Sequence, residues 1–183
     1  MLATAIYAQR ASGLWRDLRG SNLLDTGAHF YEVYETRDGG YLAVGAIEPQ
    51  FYAELLQGMG LDAAALPDQM DQGRWPEMKE LFAGVFRSKT RAEWTKIFEG
   101  SDACATPVLS PMEAAAHDHN RARESFVETA GVLRPAAAPR FSRSTLEPPC
   151  DPPRTGAESE ALLTDFGFSS DEIADLRHAK ALT

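Results

Sequence analysis

The amino-acid sequence predicts an α/β (α+β) fold, in which a small domain with a β-hairpin and packed helices is followed by an extended Pro-rich strap. Three observations lead to this prediction. Two runs of β-branched and aromatic residues flank an Asp-Gly turn, apolar residues then recur at helical spacing, and six prolines fall between residues 131 and 153. Alternating strand runs and helical periodicity indicate a mixed fold, and the prolines exclude a long helix in the strap.

The hairpin is predicted at residues 30–46. Its two strands are Phe30 to Thr36 and Tyr41 to Ala46, and Arg37-Asp38-Gly39-Gly40 separates them. Asp-Gly supplies the positive φ angles that tight hairpin turns need. His29, at the start of the first strand, is interpreted as a structural residue.

Glu48 lies where the second strand ends and a helix begins. The helical pattern runs from Pro49 at the first position through Phe51, Leu55 and Met59 to Gly60 at the end. Pro fits the first position of a helix and Gly commonly ends one, so Glu48 is expected at or next to the N-cap. The helix dipole favours an ionised carboxylate there, which suits a base or the partner of a base. The alternative is a solvated glutamate that only complements the dipole.

Further elements are expected along the next sixty residues. Helices are predicted near 76–88 and 91–99, and a strand near 104–109. The segments Thr90-Arg91-Ala92-Glu93 and Ser110-Pro111-Met112-Glu113 are capping boxes that mark helix starts. The first of these helices carries an apolar stripe that is interpreted as core rather than as a cofactor site, formed by Trp75, Met78, Phe82 and Phe86.

Composition excludes several classes of partner. The formal net charge is −9 and the isoelectric point is near 4.9, which argues against nucleic acid or an anionic membrane as a main partner. No apolar run approaches the length of a membrane span, and no signal peptide is recognised. Cys104 and Cys150 are too few and too far apart for a disulfide framework, so a cytoplasmic location is expected.

No motif for metal or nucleotide chemistry stands out. His117 and His119 are two residues apart, which splits them around a helix, and no further ligand has suitable spacing. A nucleophile elbow, a phosphate loop and a dinucleotide-binding glycine pattern are all absent. The sequence therefore predicts no bound metal.

Two long stretches closely resemble the α-methylacyl-CoA racemases, a branch of the family III CoA-transferases. The stretches are Arg19-Gly20-Ser21-Asn22-Leu23-Leu24-Asp25-Thr26-Gly27-Ala28-His29-Phe30-Tyr31 and Ala43-Val44-Gly45-Ala46-Ile47-Glu48-Pro49-Gln50-Phe51-Tyr52. Similar segments include Gln69-Met70, Trp75-Pro76-Glu77-Met78-Lys79, Phe98 to Leu109 and His117-Asp118-His119-Asn120. The resemblance covers nearly all of the chain and corresponds to the C-terminal half of the family.

The resemblance implies an isomerase that exchanges the proton at C2 of 2-methylacyl-CoA and so interconverts the R and S epimers. Racemisation by this route needs two acid/base groups, one on each side of C2. In the family these are a His and an Asp, and Glu48 matches the glutamate that supports the His. Tyr31 and Ile47 are implied in substrate binding, although a buried core tyrosine is an equal alternative for Tyr31. No cofactor is implied, because CoA is part of the substrate.

None of the four histidines, His29, His117, His119 and His178, lies in a segment that resembles the family's catalytic region. We therefore expect the chain to lack the catalytic His and Asp and to be inactive alone. Three alternatives stay open: a C-terminal fragment, a short natural homologue without the activity, or one half of a two-chain enzyme. A non-catalytic association module, or a subunit of a family III CoA-transferase-like complex, is the alternative function.

The resemblance also implies a domain organisation and partners. Residues 1–22 would be a helix and linker of a large domain, residues 23–130 the small α/β domain, and residues 131–183 the strap with C-terminal helices near 158–166 and 171–176. The expected partners are an acyl-CoA thioester, a second copy of the chain in a homodimer or larger oligomer and, under the two-chain alternative, a separate N-terminal racemase half.

Overall fold

The computed structural model describes residues 3–147 and 150–182. The chain divides into two compact units, Met1–Leu109 and Ser110–Thr183. Helix α1 (Thr4–Ala11) opens the first unit, and all of its residues are exposed. The domain boundaries that the sequence suggested stay predictions, and Met1, Leu2, Pro148, Pro149 and Thr183, which fall within those domains, lie outside the described residues.

A three-stranded antiparallel sheet forms the centre of the first unit. Its strands are β1 (Tyr31–Glu35), β2 (Tyr41–Gly45) and β3 (Ala105–Pro107), and β2 lies between the other two. Strands β1 and β2 pair from Tyr31 opposite Gly45 to Glu35 opposite Tyr41. The predicted hairpin is thus confirmed, with Gly39 at a φ of 74° in its turn.

Helices cover one face of this sheet. They are α2 (Pro49–Met59), α3 (Trp75–Phe86) and α4 (Arg91–Phe98), and a short 3₁₀ turn spans Ala63–Ala65. The predicted capping box at Thr90 is confirmed, since its hydroxyl accepts a hydrogen bond from the Glu93 N–H and the Glu93 carboxylate accepts one from the Thr90 N–H. Local sequence rules therefore located all three helices to within two residues.

Side chains from one face of the hairpin and from the three helices form the core. Alternate residues of a strand point to opposite faces, so Tyr34, Leu42 and Val44 face the helices and are buried. The predicted apolar stripe of α3 is confirmed as core, since Trp75, Met78, Phe82 and Phe86 are each at most 3% exposed. Aromatic rings dominate this core, with Tyr34 stacked on Phe86 at 5.0 Å.

The second unit contains short helices and a second sheet. The helices are α5 (Pro111–Ala116), α6 (Asp118–Ala122), α7 (Ser159–Asp165) and α8 (Ser170–His178). Strands β4 (Phe126–Thr129) and β5 (Val132–Pro135) form an antiparallel hairpin. The segment that the sequence predicted as an extended strap from residue 131 therefore begins with a paired strand, which the sequence did not predict. The capping box at Ser110 is confirmed, and the two C-terminal helices are present.

Within the described part of the chain, none of the helices is both long enough and apolar enough to cross a membrane.

Candidate active site

Glu48 occupies the N-cap of α2, as the sequence predicted. Its backbone is extended, with φ −73° and ψ 141°, and Pro49 takes the first helical position. The side chain is exposed and, within residues 3–147 and 150–182, makes no capping hydrogen bond to the first turn of the helix. Because the Glu48 carboxylate does not accept a hydrogen bond from the first turn of α2, it can accept one from a group outside the helix.

Gln69 holds the backbone immediately before Glu48. Its side-chain Nε2 donates hydrogen bonds to the Ala46 carbonyl at 3.0 Å and to the Ile47 carbonyl at 2.9 Å. Gln69 is itself fixed, because the indole N–H of the buried Trp75 donates to its backbone carbonyl at 2.9 Å. The junction between β2 and α2 is therefore tied to the start of α3.

Ile47 contributes mainly through its backbone at this junction. Its N–H donates to the Gly45 carbonyl at 3.0 Å, and its side chain packs against the core. The role in substrate binding that the resemblance implied for Ile47 stays a prediction.

Tyr31 lines a cleft of about 380 Å³ on the side of the sheet opposite the helices. The half-buried tyrosine ring lies against Gly45, where an added Cβ would be 3.9 Å from the ring. The cleft is lined by Thr26, Tyr31, Glu32, Val33, Ala43, Val44, Gly45, Cys104 and Thr106. Its floor is made of small residues, because Ala43, Gly45 and Thr106 leave the space that larger side chains would fill.

Cys104 connects this cleft to Glu48. The cysteine precedes β3 with a φ of 48°, and its carbonyl accepts a hydrogen bond from the Gly45 N–H at 2.9 Å. Partial burial raises the pKa of the Cys104 thiol, and the negative charges of Glu48, Asp102 and Glu54 raise it further. The thiol therefore lies both on the cleft wall and within electrostatic range of Glu48.

An ion pair stands at the edge of the cleft. Lys79 Nζ lies 2.5 Å from the Glu32 carboxylate and donates to the Thr26 carbonyl at 2.7 Å. The Glu32 side chain is 17% exposed and that of Lys79 is 30% exposed, so water screens the pair only in part. The lysine neutralises the carboxylate that lines the cleft and anchors Thr26, whose φ is 71°.

His29 lies in the core and does not reach the surface. Its Nε2 is 2.8 Å from the Tyr52 hydroxyl, and its carbonyl accepts a hydrogen bond from the Tyr34 hydroxyl at 2.7 Å. Burial lowers the pKa of His29 to about 4, and burial together with the charge of Asp68 raises the pKa of Tyr52 to about 12. The pair is neutral at pH 7 and ties the start of β1 to α2.

The other candidate groups do not assemble into a metal site. His117 precedes α6, and its Nδ1 accepts a hydrogen bond from the His119 N–H at 3.3 Å. Among the residues for which the structure gives a position, no group of three or more His, Cys, Asp or Glu side chains could hold a metal ion.

Sequence reasoning missed Gln69 and Cys104 as parts of this site. Both belong to segments that resemble the racemases, and that similarity is the signal in the sequence that could have singled them out. Nothing in their local pattern shows that the Gln69 amide reaches residues 46 and 47, or that Cys104 lies beside Gly45.

The sequence model of CoA-transferase family III matches residues 1–159. The chain belongs to this family. Its relatives include the alpha-methylacyl-CoA racemases of Mus musculus and Homo sapiens, which are 49% and 45% identical to it over 96% and 99% of its length. These alignments cover 46% and 48% of the two racemases, so the chain spans about half the length of these relatives.

The fold of this family III chain also occurs in a solved structure. A CAIB/BAIF family protein from Brucella suis superimposes with a TM-score of 0.64 over 90% of this chain and 44% of its own, at 19% identity. The identity is low, so this likeness supports the fold alone. The fold expected from the sequence, and the resemblance to the α-methylacyl-CoA racemases, are both confirmed.

Proposed function

We propose that this chain is part of an α-methylacyl-CoA racemase, which interconverts R and S 2-methylacyl-CoA thioesters by 1,1-proton transfer at C2. The similarity to two racemases across nearly the whole chain is the observation that carries the proposal. Removing the C2 proton produces an enolate, and returning a proton to the opposite face inverts the centre. Two acid/base groups on opposite sides of C2 are therefore needed.

Glu48 supports one of these groups in the proposed mechanism. Glu48 is exposed at a helix N-terminus, where the helix dipole favours a carboxylate that accepts hydrogen bonds. It would hold an imidazole in one tautomer and stabilise the imidazolium that forms when the ring takes the C2 proton. Glu48 is thus a positioning residue, and the imidazole touches the substrate.

The imidazole that Glu48 supports is assigned to protein outside these 183 residues. His29 is buried, has a pKa of about 4 and is bound to Tyr52. The other three histidines lie in the second unit, within segments that do not resemble the catalytic region of the racemases. Because the relatives are about twice as long as this chain, the remaining half of such a protein, in the same or another polypeptide, is the proposed source.

The cleft beside Tyr31 forms a wall of the acyl-CoA pocket in this proposal. In this proposal its small floor residues admit a branched acyl chain, and Tyr31, which lines the cleft, supplies a hydroxyl group as a hydrogen-bond donor. The net charge of −9 is unfavourable for the CoA phosphates, so the cationic contacts to CoA are expected from the remaining half.

Deuterium incorporation at C2 of 2-methylacyl-CoA in heavy water tests the proposal. The chain is assayed alone and after addition of the part of the mouse racemase that it does not match. We expect exchange only in the mixture. Exchange by the chain alone would show that it carries its own base and would contradict the assignment of the imidazole. No exchange in either assay would contradict the proposal and favour a non-catalytic association module.

A matched pair of variants tests the role of Glu48. Because a positioned acid/base group contributes about 10²–10⁴-fold to a rate, Glu48→Gln is expected to lower the exchange rate of the mixture at least about tenfold. Glu80→Gln makes the same chemical change at an exposed glutamate of α3 and should leave the rate unchanged. Normal exchange by Glu48→Gln would refute the assigned role.

A further inference from the structure

The backbone on both sides of Glu48 is held by hydrogen bonds, and the two sides are held by different parts of the fold. On the C-terminal side, the Glu48 carbonyl accepts the first hydrogen bond of α2, from the Tyr52 N–H at 3.0 Å. On the N-terminal side, the Ile47 carbonyl belongs to the same peptide plane as the Glu48 N–H, and it accepts a hydrogen bond from Gln69. Fixing that plane fixes the direction in which the Glu48 side chain leaves the chain.

The Gln69 side-chain amide holds the N-terminal side of this junction. One side-chain N–H₂ group donates to two successive carbonyls, those of Ala46 and Ile47, across more than twenty residues of sequence. Both of its hydrogen-bond donors are therefore used at the junction. The Gln69 side chain is half-buried, and a hydrogen bond from Trp75 fixes the Gln69 backbone. The side chain therefore has little freedom to adopt another conformation.

We infer that Gln69 is a positioning residue for Glu48, which it serves by orienting the two peptide planes that precede the carboxylate. This inference rests on the proposed function of Glu48. The Glu48 side chain makes no capping bond of its own in the described structure, so its direction depends on the backbone beneath it. A displacement of about 1 Å in a catalytic group can lower a rate about 10²-fold. If Gln69 is lost, Glu48 and the imidazole that it holds would shift, and the rate would fall although Gln69 does not contact the substrate.

The alternative is that Gln69 only stabilises the fold. Its two hydrogen bonds and the loop that they hold would then matter for unfolding and not for turnover. Trp94 provides a matched control, because its indole N–H donates to the Phe86 carbonyl at 2.8 Å in the same unit. Trp94→Phe also removes a side-chain bond to a backbone carbonyl, but away from Glu48.

The experiment combines kinetics of the reconstituted mixture with NMR of the chain alone. Gln69→Leu keeps the size of the side chain and removes both donors. We expect its kcat for C2 exchange to fall about 10- to 100-fold, with KM changed less than about threefold because the cleft wall is intact. The ¹H–¹⁵N resonance of Glu48 should move in the same variant, whereas Trp94→Phe should change neither kcat nor that resonance.

Several outcomes would overturn the inference. If Gln69→Leu keeps its kcat, or loses no more than Trp94→Phe at a temperature where both are folded, Gln69 is only structural. If the wild-type mixture shows no exchange, the proposed function fails, and the NMR measurement still decides the link between the two residues. An unmoved Glu48 resonance in Gln69→Leu would then refute the positioning, and a moved one would support it.

Discussion

Acidification is expected to destabilise the first unit through one buried histidine. His29 is 1% exposed and lies edge-on to the rings of Phe30 at 5.0 Å and Phe82 at 4.9 Å. Its Nε2 contacts the Tyr52 hydroxyl, and within the described residues Nδ1 has no hydrogen-bond partner. A charged imidazolium in this environment would lose its hydration without gaining a counter-charge, so the folded state favours the neutral ring.

The sign and the size of the effect follow from the two pKa values of His29. Burial lowers the pKa from the ordinary 6.5 to about 4 in the folded state. Between these values the unfolded chain binds more protons than the folded one, so the free energy of unfolding falls as the pH falls through this window. A tenfold difference in proton affinity between the folded and unfolded states changes the free energy of unfolding by about 1.4 kcal/mol. The full loss is therefore about 3 kcal/mol below pH 4, of which about 2 kcal/mol is expected between pH 7 and pH 5.

Urea denaturation at pH 7 and at pH 5 measures this loss. All three tryptophans, Trp15, Trp75 and Trp94, belong to the first unit, so their fluorescence reports its unfolding. Wild type is expected to lose about 2 kcal/mol more than His29→Gln between the two pH values, because the carboxylates titrate alike in both proteins. His119→Gln removes an exposed histidine and should behave as wild type. Equal losses in wild type and His29→Gln would refute the reasoning.

Three further changes have expected outcomes. Thr90→Ala removes the N-cap of α4 and should cost about 1 kcal/mol in urea denaturation, with no change in C2 exchange by the mixture. Gly58→Ala would place a Cβ 2.5 Å from the buried Phe98 ring and should cost about 1–3 kcal/mol; an unchanged midpoint would mean that the ring moves freely. Gly45→Val adds bulk to the cleft floor beside Tyr31, so acyl-CoA binding to the mixture should weaken about tenfold, or by about 1.4 kcal/mol, in a titration. Unchanged binding would remove this cleft from the acyl-CoA pocket.

Much of the first unit could be predicted because its signals are local. The Asp-Gly turn, the position of Pro49 and the capping box at Thr90 each specify structure within a few residues of themselves. Glu48 was placed at the N-cap of α2 by such signals, and the structure confirms that position. No local signal of this kind predicts the surroundings of the Glu48 side chain.

The hairpin of the second unit was missed for a physical reason. Its turn is formed by Ala130 and Gly131, which have φ values of 50° and 75°. Tight hairpin turns with two positive φ values normally carry Asn-Gly or Asp-Gly, and an alanine at the first position gives no such signal. The prolines that follow β5 then gave the segment the composition of a strap.

The sequence by itself determined the first-unit hairpin, the helices with their caps, the family and the place of Glu48 at the end of β2. Only the tertiary structure decided how the junction before and after that carboxylate is held. The Gln69 amide donates to the Ala46 and Ile47 carbonyls, the Cys104 carbonyl accepts from the Gly45 N–H, and the buried His29 ring contacts the Tyr52 hydroxyl of α2. Caps and turns are specified by neighbouring residues, whereas these contacts join positions that are more than twenty residues apart. They depend on how the sheet pairs and how the helices pack on it, and a local pattern does not encode either.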